Sequence, residues 1–376
     1  MSVDEAVLAG TTALFDAPTE ALEAIARELT RQMARGLVGE PSSLRMLETF
    51  TRQPTGRERG RVVVVDWGGS KARAGVVELG GAGAVRVEAE ETHTFSEREK
   101  EGAPEAVFDL IAGAIGRVVR ARHIDQAPLG FVYSYPARLE RIDRAVALAT
   151  TKGWRLRGLV GQDVVGLLGA ALDRAGLAGV TVTAVANDTV AALMLQSYRV
   201  RGRDPEAHPA DIGLILGTGT NQAADLGPAG IRNLESGNFD GVAPVQTRYD
   251  IALDRALDPG AQRFEKMVSG HYLGEILRRA LETVPGWAAP ALARPFALDG
   301  VHLSRIAADG TGALDDVDAL LRALGIESSR REREAVRALG AAIARRAARL
   351  VAAALLGTLR FLDPRLDGRR TIAVDG

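Results

Sequence analysis

The sequence predicts an α/β fold of two lobes built on mixed sheets. Two observations carry this. Apolar, β-branched runs alternate with segments of helical periodicity along the 376 residues. Two of those runs end in glycine turns and resume as extended chain, at Gly68-Gly69 and at Gly217-Thr218-Gly219, about 150 residues apart, as in a duplicated pair of lobes.

From the N-terminus, residues 18–36 place Leu22, Ile25, Leu29 and Met33 three or four apart, an amphipathic helix. A linker rich in Pro, Thr, Gly and Arg (52–60) leads to Val62-Val63-Val64-Val65, read as a strand buried on both faces and ending at Asp66. Residues 74–79 resume as a strand. A helix is expected from Pro104 to Arg122, a strand from Leu129 to Tyr135 closed by Pro136, and a helix over 162–175. Val180–Ala186 is a strand ending at Asn187-Asp188, and Thr189 opens a helix. Ile212–Leu216 is the strand before the second glycine turn. Helices follow over 247–257, 261–284, 316–325 and 329–358, and 371–376 begins a strand. The expected organisation is an N-terminal helix and linker (1–60) packed on the large lobe, a small lobe (61–200) and a large lobe (201–376).

Composition narrows the function. With 47 basic and 48 acidic side chains the net charge is -1, which argues against a nucleic-acid coat or a polybasic membrane-surface protein. There is no cysteine, so disulfides, thiolate metal sites and cysteine nucleophiles are excluded. The five histidines show no ligand spacing. No run approaches the roughly 18 apolar residues of a spanning helix. Asp4 and Glu5 replace a basic leader, so the expectation is a cytoplasmic protein without a signal peptide. Nearly all cations are Arg; the four lysines are Lys71, Lys100, Lys152 and Lys266.

Glycine turns can present successive N–H groups to one point, a concavity suited to phosphate. Ser70, Thr218 and Thr220 bring hydroxyls, and Asp66 could hold a magnesium ion through water. Neither turn is a P-loop, since a strand follows where a helix is required; an ordinary hairpin is the plainer reading of each. Asn187-Asp188 lies where ligands collect, at a strand's carboxyl end. Asp188 reads either as the cap of the next helix or as a base accepting a hydroxyl proton in phosphoryl transfer. Lys152, in Thr151-Lys152-Gly153-Trp154, is either a solvated lysine or a charge that meets a moving phosphoryl group. Glu235 and Glu265 sit in polar segments that suit a polyol, although Glu265 also reads as an exposed helical charge.

Taken together and in order, these segments resemble the eukaryotic-type hexokinase family (hexokinases and glucokinase) from about Gly36 to the last residue. The likeness is carried by Asp66-x-Gly-Gly-Ser70-x-x-Arg73, Ser134-Tyr135-Pro136, Thr151-Lys152-Gly153-Trp154, and Val185-Ala186-Asn187-Asp188-Thr189-Val190. It continues in Ile215-Leu216-Gly217-Thr218-Gly219-Thr220-Asn221, Asp258-Pro259-Gly260 through Phe264-Glu265-Lys266-Met267, and Gly270-His271-Tyr272-Leu273-Gly274-Glu275. The resemblance implies a ribonuclease-H-like (actin-type) fold with a sugar cleft between lobes. It further implies transfer of a phosphoryl group from ATP, with Mg2+, to the 6-hydroxyl of glucose or a related hexose, the first step of glycolysis, by a monomer or homodimer. Asp188 would be the base and Lys152 would steady the phosphoryl group. Ser134, Thr151, Lys152, Asn187, Asp188, Asn221, Glu235 and Glu265 would meet the sugar. Asp66, Gly68, Gly69, Ser70, Arg73, Gly217, Thr218 and Gly219 would face the nucleotide phosphates, with Asp66 toward magnesium through water.

The sequence also departs from the family. Trp67, Ser70 and Lys71 stand where Leu, Thr and Asn are usual. Ser236-Gly237-Asn238-Phe239 replaces Trp-Gly-Ala-Phe, and Ala344 replaces a hydroxyl residue near the adenine. The family continues past Val-Asp-Gly, whereas this sequence stops at Val374-Asp375-Gly376. The expectation is therefore a second lobe short of a strand and a nucleotide site short of one wall, in a fragment or a degenerate homologue. The alternative function is a catalytically impaired sugar-binding sensor.

Overall fold

The computed structural model describes residues 2–150, 153–287 and 289–376. Helices α1 (Val3–Ala13) and α2 (Thr19–Leu37) open the chain, followed by the short strand β1 (Leu47–Glu48). Ser2 and Glu5 form a capping box that starts α1. The first sheet then forms from β2 (Arg59–Trp67), β3 (Lys71–Gly81) and β4 (Ala84–Thr94). After α3 (Glu97–Lys100) and α4 (Pro104–Ala121) come β5 (Ala127–Tyr133), the hairpin β6 (Ala137–Arg141) and β7 (Arg144–Ala147), α5 (Val164–Arg174) and β8 (Val180–Ala186). The sheet order is β4-β3-β2-β5-β8, antiparallel across the β2–β3–β4 meander and parallel from β2 through β5 to β8.

Helix α6 (Asp188–Arg203) leads to β9 (Ile212–Leu216), β10 (Thr220–Asp225) and β11 (Ile231–Asn233). These join the N-terminal β1 and the last strand, β12 (Ile372–Asp375), in the order β1-β11-β10-β9-β12. Between β11 and β12 lie α7 (Arg248–Ala256), α8 (Arg263–Val268), α9 (Gly270–Leu281), α10 (Gly300–Ala308), α11 (Asp315–Ala323) and the long α12 (Arg330–Leu362). Helices α1, α2, α8 and α10 pack along α12.

Helix α6 begins at the tip of β8 but packs on β9, β10 and β12. Gly213 permits this approach: a Cβ there would come within 2.2 Å of the Thr189 carbonyl oxygen. The chain therefore crosses from the first sheet to the second at Asn187-Asp188. It makes an earlier crossing through 49–58, where the Gln53 side chain donates to Ala210 O (3.0 Å) and Asp225 Oδ2 (2.8 Å).

Several expectations are corrected. In β2 Val63, Val65 and Trp67 are buried, while Val62, Val64 and Asp66 are half-covered, so this strand alternates. The helix expected over 261–284 is two helices with an extended break at Ser269. Helices α1 and α10, strand β4 and the β6–β7 hairpin were not foreseen. Strand β4 is an edge strand rich in charge (Arg86, Glu88, Glu90, Glu91), a composition that protects an open edge but weakens a strand signal.

Candidate active site

The first glycine turn rests on an aromatic cluster. Trp67, 1% exposed, makes edge-on contacts with Phe108, Tyr133, Tyr135 and Trp154, with ring centroids 5.1–5.5 Å apart. The Tyr135 hydroxyl donates to Gly68 O (2.5 Å), the Trp154 indole N–H to Gly69 O (2.8 Å), and the Phe95 N–H to Ser70 O (2.9 Å). A trans peptide holds its N–H opposite its carbonyl. With the carbonyls of Gly68 and Gly69 drawn into the cluster, the N–H groups of Gly69 and Ser70 point away from it. Neither donates a hydrogen bond among the described residues. The aromatic residues thus orient the turn.

The second turn obeys the same logic through a helix end. The first N–H groups of a helix have no partner within it. The break at Ser269 creates such an end: the Gly270 N–H donates to Gly217 O (2.8 Å) and the His271 N–H to Thr218 O (3.2 Å). The N–H groups of Thr218 and Gly219 are thereby turned outward. Glycine suits position 270, since a Cβ would lie 3.1 Å from Gly217 O, a tight contact that would press on the turn. The expected hydroxyl of Thr220 is engaged locally, donating to Ile215 O (3.0 Å).

Asn187, not Asp188, caps α6: its Oδ1 accepts the Thr189 N–H at 3.0 Å. Asp188 is the first helical residue, and its Oδ1 accepts the Thr189 N–H (2.8 Å) and hydroxyl (3.3 Å). A run of amides extends from here. Asn221 Nδ2 donates to Asn187 Oδ1 (3.3 Å) and Asn233 Oδ1 (2.8 Å), and Asn233 Nδ2 donates to Glu235 Oε1 (2.9 Å). The Asn221 Oδ1 accepts from the backbone of Gln222 (2.7 Å) and Ser236 (3.0 Å). Glu265 is no exposed helical charge; its Oε2 accepts the Thr220 N–H at 2.9 Å.

Ser134, Asn187, Asp188, Asn221, Glu235 and Glu265 line one cleft, together with Gly219 of the second turn. Thr151 and Lys152 lie outside the described residues. Asp66, at the tip of β2, accepts the Ser134 hydroxyl at 3.4 Å and stands opposite Arg73 in the β2–β3 ladder. Tyr135, Ile215 and Gln262, which lie within the family-like segments but were not named as site residues, also line the cleft. Glu235 and Gln262 hold left-handed backbone (φ 53° and 52°), a cost of order 1–3 kcal/mol each that aims both side chains inward. Burial pushes the Glu235 carboxyl above the ordinary glutamate range; Asp188 and Glu265 add to this, while Asn233 and Arg45 oppose it. Burial likewise raises the Tyr135 hydroxyl, with Tyr133, Asp66 and Asp188 contributing. Among the described residues no three His, Asp or Glu side chains gather as a metal cage. A lone carboxylate at Asp66 suits magnesium that keeps its waters and arrives with phosphate oxygens.

Fold and site together define a two-lobed α/β protein of the ribonuclease-H-like class, with a polar cleft at the crossing between its sheets. Two sequence-family models, both described as Hexokinase, match residues 8–198 and 211–376. Hexokinase-3 of Mus musculus is 34% identical over 92% of this chain, which spans 39% of that protein's length. Hexokinase-2 of Candida albicans is 32% identical over 89% of the chain and 75% of its own length. A solved structure titled as a hexokinase from Schistosoma mansoni complexed with glucose superposes with a TM-score of 0.88 at 27% identity, covering 100% of this chain and 89% of that one. The chain belongs to the hexokinase family.

Proposed function

We propose that this protein transfers the terminal phosphoryl group of ATP to the 6-hydroxyl of a hexose, with glucose the foremost candidate. The carrying observation is that Asp188 shares one cleft with the Asn187–Asn221–Asn233–Glu235 run, Glu265 and the second glycine turn. Glu235, Glu265 and the amides accept from and donate to sugar hydroxyls, fixing the ring. Asp188 takes the hydroxyl proton as the new oxygen–phosphorus bond forms and the bond to the departing ADP breaks. The outward N–H groups of both turns receive the phosphates, and Lys152 steadies the moving group. Asp66 would hold magnesium through water, and the ion would supply charge neutralisation on the phosphate oxygens.

The lobes expected at 61–200 and 201–376 share α6, which starts at the first sheet and packs on the second. Closure about the two crossings would exclude water from the cleft. Nothing in the cleft favours a sensor that binds sugar without nucleotide. A coupled assay of hexose phosphate with ATP and glucose tests the reading. Turnover by the parent protein and a fall of about 100-fold or more in Asp188→Ala are expected; equal rates would remove Asp188 from the chemistry.

A further inference from the structure

Away from the cleft, the corner between α1 and α2 faces α12 across a cavity lined by Thr12, Phe15, Asp16, Arg345, Arg346 and Arg349 among others. Three arginines border it, and each is held differently. Arg346 is 1% exposed, lies 4.7 Å from the Phe15 ring centre, and bridges to both Asp250 oxygens (2.5 and 2.8 Å). Its Nε is buried and has no hydrogen-bond partner among the described residues. Arg349 makes only a 3.7 Å approach to the exposed Asp16 and a 3.5 Å contact with the Thr19 hydroxyl. Arg345 is exposed and makes no ion pair or hydrogen bond among the described residues.

Asp250 neutralises Arg346 from beneath, and Asp16 offsets one charge at the rim. One positive charge remains in excess, and the weak Asp16 contact is easily exchanged for a better acceptor. A solvated arginine needs no cavity; three arginines bordering one suit an anion rich in acceptor oxygens. Guanidinium groups prefer phosphate because parallel N–H groups reach two of its oxygens.

We propose that this cavity binds a small phosphate-bearing anion, held by Arg345 and Arg349 with Arg346 and Phe15 as its floor, and that the anion fastens the α1–α2 corner onto α12. The site shares no residue with the cleft, so it stands or falls apart from the proposed reaction.

Titration calorimetry at constant ionic strength tests it, with pyrophosphate, inorganic phosphate and ribose 5-phosphate as separate probes and chloride as the balancing salt. The parent protein should bind at least one probe at sub-millimolar affinity and gain thermal stability from it; the strongest probe identifies the source of the phosphate. The Arg345→Gln/Arg349→Gln variant should weaken this binding at least tenfold, while any equivalent held by the glycine turns remains. Asp16→Asn should tighten it, because a competing carboxylate is gone. Should the double variant fail to fold, the Asp16→Asn result decides alone. Failure of every probe to bind, unchanged stoichiometry and affinity in the double variant, or unchanged or weaker binding in Asp16→Asn would overturn the proposal.

Discussion

On the proposed reading, Glu235 would couple sugar binding in the cleft to pH. Its carboxyl is raised in the folded protein from an ordinary value of 4.5. An acid raised in the native state contributes stability that is complete below the ordinary value and lost as pH climbs through the raised one. Glu235→Gln should therefore flatten the decline in stability across that window, as followed by denaturant titration at several pH values. A sugar hydroxyl donating to the carboxylate favours its ionised form. Glucose affinity in the parent protein should accordingly rise across the same window, and this rise should vanish in the variant. Roles at this scale were unevenly legible. Glu265 was ambiguous because helical spacing cannot reveal that the next sheet's Thr220 N–H approaches it. Gln262 was missed because its role depends on a left-handed backbone after the Pro259-Gly260 turn. Lys266, one of four lysines in an arginine-rich chain, serves the fold: its buried ammonium bonds Asp254 Oδ1 (2.8 Å) and the carbonyls of Leu257 (2.5 Å) and Asp258 (3.0 Å), a three-way grip that suits a compact ammonium.

Elements place the site through close backbone approaches. Helix α6 carries Asp188 and lies against β9 only because residue 213 is glycine. Gly213→Ala should push the start of α6 outward, costing about 1–3 kcal/mol in thermal or denaturant unfolding and lowering kcat. Gly130→Ala, in the neighbouring sheet, meets nothing within 4 Å and should leave both near the parent values. Strongly periodic elements such as α2, α4, α12 and β8 were readable because burial imposes their pattern. The break at Ser269 was not read, although Ser269-Gly270 is a local breaker within residues 261–284. What splits them is a tertiary demand, the supply of two N–H groups to the second turn. Strand β4 hid behind its charges, of which Glu88 is drawn in by Arg61 (3.0 Å) and Arg86 (2.8 Å).

At the scale of the molecule, the two crossings at 49–58 and 187–188 join the sheets, and the cleft opens at the second. The architecture was legible because the two glycine hairpins mark equivalent places in two lobes. The way each hairpin is aimed was not legible: one is fixed by Tyr135 and Trp154, the other by the start of α9, both brought from afar in sequence. Trp67, an exception to the usual family motif, is explained by the ring cluster it centres. In the proposed reaction Asp188 removes a proton from a sugar that the rest of the cleft holds. The most direct measurement of that step is kcat for Asp188→Asn at saturating glucose and ATP, in protein shown by calorimetry to retain glucose binding. A kcat at least about 100-fold below the parent is expected with glucose still bound; a kcat within a few-fold of the parent would rule out Asp188 as the base.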